Sequence, residues 1–267
     1  MPPTVKLALQ GSLEDWLEFQ LAAQTDRPGG AVVDVGAYHG DFAARLLARF
    51  PERFTAAVLV EPNPENQAEI RRRLGNDGRF HLVSAACDTK AGTREFNCAG
   101  PSYTGSLLTY TDTQGQPVQR LTVPCVTLDE QLHRLQLLDH ARLLKIDTQG
   151  HDLAVLRGAT ETLRRSHPWI VVELIYAPLY QSQARPEEIA VWLAQLGYVM
   201  AAHFNEYYNE AGFLAWADAC FVPAASRGPV TEQFCARPTF QAAADAGSGL
   251  LGKIRKEYKR WLSHGRH

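Results

Sequence analysis

The sequence predicts an α/β protein with a seven-stranded, mostly parallel sheet and helices on both faces. Two observations predict this fold. An apolar, β-branched run passes through glycines directly into a segment of helical periodicity over residues 31–50. Apolar runs then alternate with helical segments as far as Pro223, which is typical of parallel strands joined by right-handed crossovers.

The composition is that of an ordinary soluble globular protein, and 267 residues suffice for one large α/β domain with appendages. A formal net charge of −2 provides no general attraction to nucleic acid, which is therefore not an expected partner. Five scattered cysteines without a Cys-x-x-Cys pair fit a reducing compartment. The N-terminal apolar run is too short for a signal peptide, so we expect a cytoplasmic protein.

The first strand and the loop after it form the most informative stretch. Gly36 and Gly40 permit a tight turn with a close approach of the backbone, and residues 41–50 then become helical. Backbone N–H groups and the positive end of the helix face whatever lies above the strand. The arrangement suits a nucleotide or another polar ligand.

The spacing of this loop bears on which ligand it holds. The pattern Asp34-x-Gly36-x-x-x-Gly40 lacks the middle glycine of a dinucleotide fingerprint. The next apolar run, residues 56–60, ends in Glu61, and a carboxylate at that position can accept both hydroxyl protons of a ribose. The sequence thus has a carboxylate that can bind a ribose but lacks the glycine loop that binds a pyrophosphate. This combination favours S-adenosylmethionine over NAD.

An N-terminal helix and further αβ elements complete the first half of the chain. Residues 12–15 resemble a capping box that opens a short helix, so residues 1–29 are expected to form an N-terminal cap. Residues 65–74 are predicted to be a helix and residues 79–86 a strand. The turn-rich segment 87–128 predicts an inserted β-hairpin region on the cofactor side.

The alternation of helices and strands returns in the second half. The predicted elements are a short helix at 127–132, a strand at 141–147, a helix at 151–165, a strand at 169–175, a helix at 186–197, and strands at 198–202 and 216–223. Residues 224–267 form a tail in which 250–262 predict a basic amphipathic helix. Such a helix docks on its own domain, on a second subunit of a homodimer, or peripherally on an anionic membrane, with the first two favoured.

Several segments together resemble the FkbM-type family of class I S-adenosylmethionine-dependent methyltransferases. The matching segments, in the family's order, are residues 34–40, 61–64, 105–108, 126–129, 144–151, 155–159 and 172–173. The most specific part is the Lys-Ile-Asp-x-x-Gly block followed by Val-Leu-x-Gly-Ala. One departure is Tyr38, where the family usually has Asn, so a contact made by that amide is not expected to carry over.

The resemblance implies a Rossmann-like class I methyltransferase domain over residues 30–223 that uses S-adenosyl-L-methionine. It also implies O-methylation of a hydroxyl on a sugar, polysaccharide or natural-product intermediate, so the expected partner is a small-molecule or glycan acceptor. The residues themselves do not select the acceptor. The alternatives are an N-methyltransferase and a non-catalytic adenosine-binding or scaffold protein, while the loop spacing disfavours a nicotinamide dehydrogenase.

The cofactor-binding residues are expected at the mouths of neighbouring strands. Residues 85–87 are predicted to contact the adenine through their backbone, with Asp88 as a possible partner of its amino group. The full predicted set is Asp34, Gly36, Ala37, Tyr38, Gly40, Glu61, Pro62, Asn63, Ala85, Ala86, Cys87, Asp88 and Asp147.

Three residues are candidates for catalysis. Asp147 ends the fourth strand of the main sheet, where open α/β sheets place their ligands, and on a strand it shares a face with Lys145, so the two could form an ion pair. His151 follows a glycine turn, and a neutral imidazole can serve as a general base. Glu173 lies inside an apolar run, where a carboxylate needs a partner or a function. No pair of residues has a metal-ligand spacing, so no metal is predicted.

Overall fold

A computed structural model of the chain describes residues 12–13, 15–17, 29–99, 104–113 and 117–227. The predicted amphipathic helix at 250–262 lies outside the described residues, as does most of the predicted N-terminal cap. Residues 13 and 15–17 are helical, and Ser12 and Asp15 exchange backbone-to-side-chain hydrogen bonds of 3.1 Å each. This reciprocal pair is the predicted capping box. The described residues up to Ala224 belong to one compact unit.

The elements follow one another along the chain with short connections. They are β1 (Gly30–Val35), α1 (Asp41–Arg49), β2 (Phe54–Val60), α2 (Pro64–Leu74), β3 (Phe80–Val83), β4 (Ala86–Cys87), β5 (Gly92–Ala99), β6 (Val118–Val126), α3 (Leu128–Arg134), β7 (Ala141–Ile146), α4 (Asp152–Arg157), α5 (Thr160–Arg165), β8 (Trp169–Ile175), α6 (Pro186–Gln195), β9 (Tyr198–Tyr208) and β10 (Leu214–Pro223). Among the described residues, no helix is both long and apolar enough to span a bilayer.

The main sheet has seven strands in the order β3-β2-β1-β7-β8-β10-β9. All neighbours are parallel except β10, which runs antiparallel between β8 and β9. The predicted seven-stranded, mostly parallel sheet is therefore confirmed. The carboxyl ends of β1, β2, β7 and β8 meet at one edge, which we call the functional edge, and the β9–β10 hairpin turns at the same edge.

Helices cover both faces of this sheet because the strands carry apolar side chains on both faces. Val32 and Leu59 pack with Leu46 of α1 and Ile70 of α2 in one core cluster. Val33 and Val58 pack with residues of α3, α4, α5 and α6 in the other. Successive side chains of a strand point to opposite faces, so these β-branched and leucine runs fill two cores.

The sequence prediction was wrong about one long helix. Residues 151–165 form two short helices, α4 and α5, instead of one. Between them Gly158 passes the backbone of Asp88 so closely that a Cβ on Gly158 would lie 2.2 Å from the Asp88 carbonyl oxygen. The Asp129 side chain then accepts hydrogen bonds from the amides of Glu161 and Thr162 at 2.9 and 2.8 Å. Tertiary contacts thus override the helical periodicity.

The predicted third strand also divides. β3 ends at Val83 in the main sheet, whereas β4 joins a second, three-stranded sheet of order β4-β6-β5. β6 pairs antiparallel with β5, which is the predicted inserted hairpin. Residues 104–113, which we call the strap, leave this hairpin and run along the functional edge.

Candidate functional site

Two adjoining chambers open at the functional edge. The inner chamber is narrow and is lined by residues that include Val60, Glu61, Ala85, Cys87, Phe96 and His151. The outer chamber is much larger and is lined by residues that include Asp34, Phe42, Lys145, Glu173, Tyr180 and Trp216. Gly36, Tyr38 and Asp147 line both chambers and so mark their junction.

The loop after β1 forms the floor of the junction. Gly36 has φ +78°, and a Cβ there would lie 1.9 Å from the carbonyl oxygen of Asp147, so only glycine fits. The amides of Gly36 and Ala37 donate to the carbonyl oxygen of Val60 at 3.0 and 3.1 Å. Tyr38 also has a positive φ of 52°, which is unusual for a bulky residue. The backbone of β1, β2 and the Asp147 segment is thereby joined at one point.

Glu61 ties this loop to the start of α2. Its carboxylate accepts hydrogen bonds from the amide of Tyr38 at 2.9 Å, the amide of Asn63 at 2.9 Å and the side chain of Asn66 at 3.2 Å. Burial raises the pKa of Glu61 to about 7, against the effect of these hydrogen bonds. A carboxylate has about four acceptor positions. A ribose that uses two of them must therefore displace one present donor, and the longest contact, from Asn66, is the one we expect to yield.

Asp34 is a buried carboxylate that faces the outer chamber. It is 1% exposed, and neither oxygen accepts a hydrogen bond of ordinary geometry from the described residues. The nearest cation is the Lys145 ammonium, at 3.9 Å. Burial raises the pKa of Asp34 to about 6, and Lys145 opposes this effect. Because a buried carboxylate is costly unless it is paired at short range, and Lys145 is 3.9 Å away, this position suits a ligand that carries a cationic donor.

His151 lines the inner chamber and pairs with Asp88 behind it. His151 Nε2 lies 3.2 Å from one Asp88 oxygen, which also accepts from the Thr89 amide at 2.7 Å, and the other oxygen lies 2.6 Å from Arg94 Nε. Burial lowers the pKa of His151, so its imidazole is neutral at neutral pH. Asp88 lines neither chamber, which does not match the predicted contact with an adenine amino group. Ala85, Ala86 and Cys87 line the inner chamber.

A second set of polar side chains faces the outer chamber from β7 and β8. The Asp147 carboxylate accepts from Lys145 Nζ at 3.1 Å and from the Gln149 side-chain amide at 3.0 Å. The same amide nitrogen donates to Glu173 at 3.1 Å. The Tyr180 hydroxyl donates to the side-chain oxygen Oε1 of Gln149 at 2.7 Å. Gln149 therefore bridges two carboxyl groups. Of the three predicted catalytic residues, the structure brings Asp147 and Glu173 together and places His151 in the inner chamber.

Glu173 is the most strongly perturbed acid of this group. Burial and the nearby carboxylates of Asp147, Asp152 and Asp218 raise the pKa of Glu173 far above its usual range. Asp218 is its cross-strand partner on β10. The Glu173 side chain therefore keeps its proton at neutral pH and can donate a hydrogen bond into the chamber.

Glu173 makes the folded state sensitive to pH in a predictable direction. The folded state retains a proton that the unfolded state releases above pH about 4.5, so the free energy of unfolding falls as pH rises toward the folded pKa. We expect the melting temperature to fall from pH 6 to pH 8, and to fall less in Glu173→Gln. Thermal denaturation at the two pH values checks this. An equal fall in both proteins would contradict it, since Asp34, Glu61 and Asp152 contribute with the same sign in each.

The loop at 148–150 is held by residues that the sequence analysis did not single out. Asp152 is buried and accepts hydrogen bonds from the amide of Thr148 at 2.9 Å and the amide of Gly150 at 3.1 Å. The buried Ser106 hydroxyl of the strap donates to the carbonyl oxygen of Gln149 at 2.8 Å. The sequence does contain a signal for Asp152, which is an aspartate two residues after Gly150. No local pattern connects Ser106 to a loop more than forty residues away.

The strap closes over the outer chamber by pairing with the segment after β8. The amide of Thr111 donates to the carbonyl oxygen of Leu179, and the amide of Gln181 donates to that of Thr109, both at 2.8 Å. The rings of Tyr110 and Tyr180 pack at 5.1 Å. Thr104 of the strap and Leu179 and Tyr180 of the segment after β8 line the outer chamber.

Replacing Tyr180 with phenylalanine tests the bridge. The change removes the hydroxyl that donates to Gln149 and leaves that carbonyl oxygen without this partner. We expect the free energy of unfolding to fall by about 1 kcal/mol. Urea denaturation of the variant measures this, with Tyr208→Phe as the control because Tyr208 is 55% exposed. Equal stability of the two variants would contradict the bridge.

Most of the predicted cofactor residues surround the junction. Asp34 and Ala37 line the outer chamber, and Glu61, Pro62 and residues 85–87 line the inner one. Gly40 and Asn63 line neither. Gly40, at φ +77°, packs against Leu74 and Leu59 at the start of α1, and Asn63 caps α2 by accepting a hydrogen bond from the Glu65 amide.

Comparison with known families gives one match. The model of the family described as "Methyltransferase FkbM domain" matches residues 34–200. This range covers more than half of the chain and includes both the β1 loop and the Asp147–Glu173 group. A comparison with curated proteins finds no match.

Solved structures with similar folds include three methyltransferases. Methyltransferase FkbM from Methylobacillus flagellatus KT is 14% identical with a TM-score of 0.45 over 72% of this chain, which spans 43% of that protein. Magnesium protoporphyrin IX methyltransferase (ChlM) from Synechocystis PCC 6803, with bound SAM, is 10% identical with a TM-score of 0.42 over 78% of this chain and 77% of its own. An rRNA methylase from Streptococcus thermophilus is 11% identical with a TM-score of 0.44 over 81% of this chain and 99% of its own.

Proposed function

Because the chain belongs to the methyltransferase FkbM domain family, we propose that it is an O-methyltransferase that modifies a hydroxyl group of a sugar, polysaccharide or natural-product intermediate. Its cofactor is S-adenosyl-L-methionine, which supplies a methyl group activated on a positively charged sulfur. The chain's own residues have three tasks: to hold this cofactor, to orient the acceptor hydroxyl and to receive its proton.

The two chambers contain groups that fit the cofactor. Glu61 in the inner chamber would hold the ribose hydroxyls, and the backbone at 85–87 would border the adenine. Asp34, a buried carboxylate that lines the outer chamber with the Lys145 ammonium 3.9 Å away, would take the cationic amino group of the methionine part. An acid that binds the ribose and an acid that binds the ammonium therefore lie on opposite sides of the Gly36 turn.

One observation carries the proposal of O-methylation: the Asp147 carboxylate lies at the junction of the two chambers. A hydroxyl that reaches this junction from the outer chamber meets an oxygen that can accept its proton. Asp147 takes that proton as the acceptor oxygen gains the methyl group. Glu173, which is protonated, is placed to donate a hydrogen bond to the acceptor, and Gln149 holds both carboxyl groups in position.

The outer chamber favours a neutral acceptor that is rich in hydroxyl groups. Its walls combine four aromatic rings besides Tyr38 with five carboxyl groups, whereas Arg45 and Lys145 are the basic side chains among its described lining residues. The Lys145 ammonium is already engaged by Asp147. Aromatic faces and hydrogen-bonding oxygens together suit a sugar or a hydroxylated natural product better than an anionic acceptor.

The proposal is tested by finding whether the methyl group becomes bonded to oxygen or to nitrogen of the acceptor. The protein is incubated with S-adenosylmethionine that carries a ¹³C-labelled methyl group and with matched acceptors that bear either hydroxyl or amino groups. A methyl ether signal in the NMR spectrum is the expected product. N-methylation alone, or no labelled product although S-adenosylmethionine binds, would overturn it in favour of an N-methyltransferase or a non-catalytic adenosine-binding protein.

We also propose a cytoplasmic location. The four described cysteines are buried and free, which fits a reducing compartment. Cys235 lies outside the described residues. The predicted tail helix at 250–262, through which we expect homodimer formation or membrane contact, also lies outside the described residues.

A further inference from the structure

The β9–β10 hairpin projects beyond the main sheet at the functional edge. β8 ends at Ile175, which pairs with Trp216 of β10, and the amides of Tyr176 and Ala177 then donate to the carbonyl oxygen of Ala215 at 2.8 and 3.1 Å. The hairpin turn at 209–213 lies beyond these contacts. The turn is held by two hydrogen bonds between Asn209 and Phe213, from the Asn209 amide to the Phe213 carbonyl at 2.8 Å and from the Phe213 amide to the Asn209 side chain at 3.0 Å. The tip is therefore a formed structure beside the outer chamber.

Exposed aromatic side chains concentrate at this tip. Among the described residues, the phenylalanine, tyrosine and tryptophan side chains that are exposed are Tyr176, Tyr207, Tyr208 and Phe213, the last with 70% of its surface exposed. All four lie on the hairpin tip or at the adjacent end of β8. Grouped exposed rings of this kind mark interaction surfaces.

One of the exposed rings touches the wall of the outer chamber. The Tyr207 ring stacks on Trp216 with a centroid distance of 4.0 Å and an angle of 5° between the planes. Trp216 lines the outer chamber. Phe213 pairs with Asn209, two residues after Tyr207, and so lies on the same face of the hairpin, whereas Tyr208 points to the opposite face. We call Tyr207, Phe213 and Trp216 the aromatic shelf. A ligand that extends out of the outer chamber past Trp216 meets this surface next.

The charge of the hairpin limits what the shelf can bind. From Tyr198 to Trp216 the sequence contains no lysine or arginine, whereas Glu206 and Glu210 flank the exposed tyrosines. Phosphates of nucleic acids, nucleotide-linked sugars and anionic lipids are bound mainly by basic side chains. The shelf therefore suits a neutral ligand. Flat rings beside carboxylates and amides can cover the C–H face of a sugar and accept hydrogen bonds from its hydroxyl groups.

We propose that the aromatic shelf is a second sugar subsite, which holds a neighbouring unit of a neutral oligosaccharide while another unit is methylated in the outer chamber. This inference rests on the proposed function and makes it more specific. It predicts that the acceptor contains at least two sugar units and carries no phosphate or nucleotide. The shelf contributes affinity for the longer acceptor and takes no part in the transfer step.

Binding without catalysis tests the subsite directly. The whole protein, saturated with S-adenosylhomocysteine, is applied to an array of neutral and anionic glycans of one to six units. We expect retention of neutral glycans of two or more units, and a loss of about tenfold or more in the double variant Tyr207→Ala/Phe213→Ser. The control is Met200→Ala, an exposed side chain at the other end of β9, which should behave like the wild type.

Kinetics with a glycan that is methylated separates a subsite from a general structural effect. In the double variant we expect KM for the oligosaccharide to rise about tenfold, while kcat and the KM of the corresponding monosaccharide stay unchanged. Equal losses for both acceptors, an unchanged KM for the oligosaccharide, or retention of only anionic glycans would overturn the proposal. Shelf-dependent binding to phosphatidylcholine vesicles in place of glycans would overturn it too.

The failure of this inference and the failure of the proposed function are distinguishable. Retention of neutral oligosaccharides that depends on the shelf, without any methylated hydroxyl, supports the subsite and refutes O-methylation. In the opposite case the wild type methylates a sugar hydroxyl, and the shelf variant retains and methylates every glycan as the wild type does. That result supports the function and refutes the subsite.

Discussion

Replacing Glu61 with alanine is expected to raise the dissociation constant for S-adenosylhomocysteine about 100-fold. The Glu61 carboxylate is the group that we expect to accept the ribose hydroxyls, and hydrogen bonds to a charged group contribute about 1.5–3 kcal/mol to binding. The same carboxylate holds the amides of Tyr38 and Asn63, so its loss also loosens the loop that forms the floor of the site. Isothermal titration calorimetry of both proteins measures the change.

Two further observations sharpen this test. Because burial raises the pKa of Glu61 to about 7 in the free protein, ligand binding to its charged form should strengthen from pH 6 to pH 8, and this part of the pH dependence should vanish in Glu61→Gln. Glu69→Ala is the matched control, since Glu69 lies on the same helix α2 and pairs with Arg72 on the surface. Calorimetry that finds Glu61→Ala binding as tightly as the wild type would refute the ribose site.

Replacing Asp147 with asparagine is expected to lower kcat by about 10²- to 10⁴-fold, the range that general bases contribute. The asparagine keeps the size of the side chain and can still accept from Gln149, but it cannot hold the acceptor's proton. We expect the affinity for S-adenosylhomocysteine to change by less than about threefold, which is under 1 kcal/mol. Single-turnover methyl transfer, measured together with calorimetry, separates the chemical step from cofactor binding.

The control for this variant is Asp139→Asn, a surface acid that pairs with Arg165 far from both chambers. It should retain full activity. Full activity in Asp147→Asn would instead favour an acceptor that needs no strong base, such as an amine. Loss of cofactor affinity equal to the loss of kcat would show that Asp147 acts on the floor of the site and not on the proton.

The parts of the fold that the sequence predicted well are those where local pattern and tertiary structure agree. The glycine loop, Glu61 and the alternating strands were found because each depends on a few neighbouring residues. The division of 151–165 was missed because it depends on Gly158 meeting the backbone of Asp88, a contact across more than sixty residues. β9 extends to Tyr208, beyond the predicted end at residue 202, because it pairs with β10.

The predicted site residues were limited in the same way. Asp147 could be proposed from its position at a strand end and Glu173 from its place in an apolar run, and both line the outer chamber. His151 was proposed for its chemistry alone, but its ring is directed to Asp88, a partner set by the three-dimensional fold. The bridging role of Gln149 depends on Tyr180 and two acids from separate elements, so no spacing along the chain could indicate it.

The close contact between Gly36 and the Asp147 carbonyl has a consequence for attempts to redesign this enzyme. The β1 loop and the segment that carries Asp147 are two stretches of backbone packed together without room for even a methyl group at Gly36. Altered acceptor preference should therefore be sought by exchanging side chains of the strap and the β9–β10 hairpin. Libraries that vary these two segments, and spare the β1 loop, should yield folded catalysts with new substrates far more often than libraries that vary the loop.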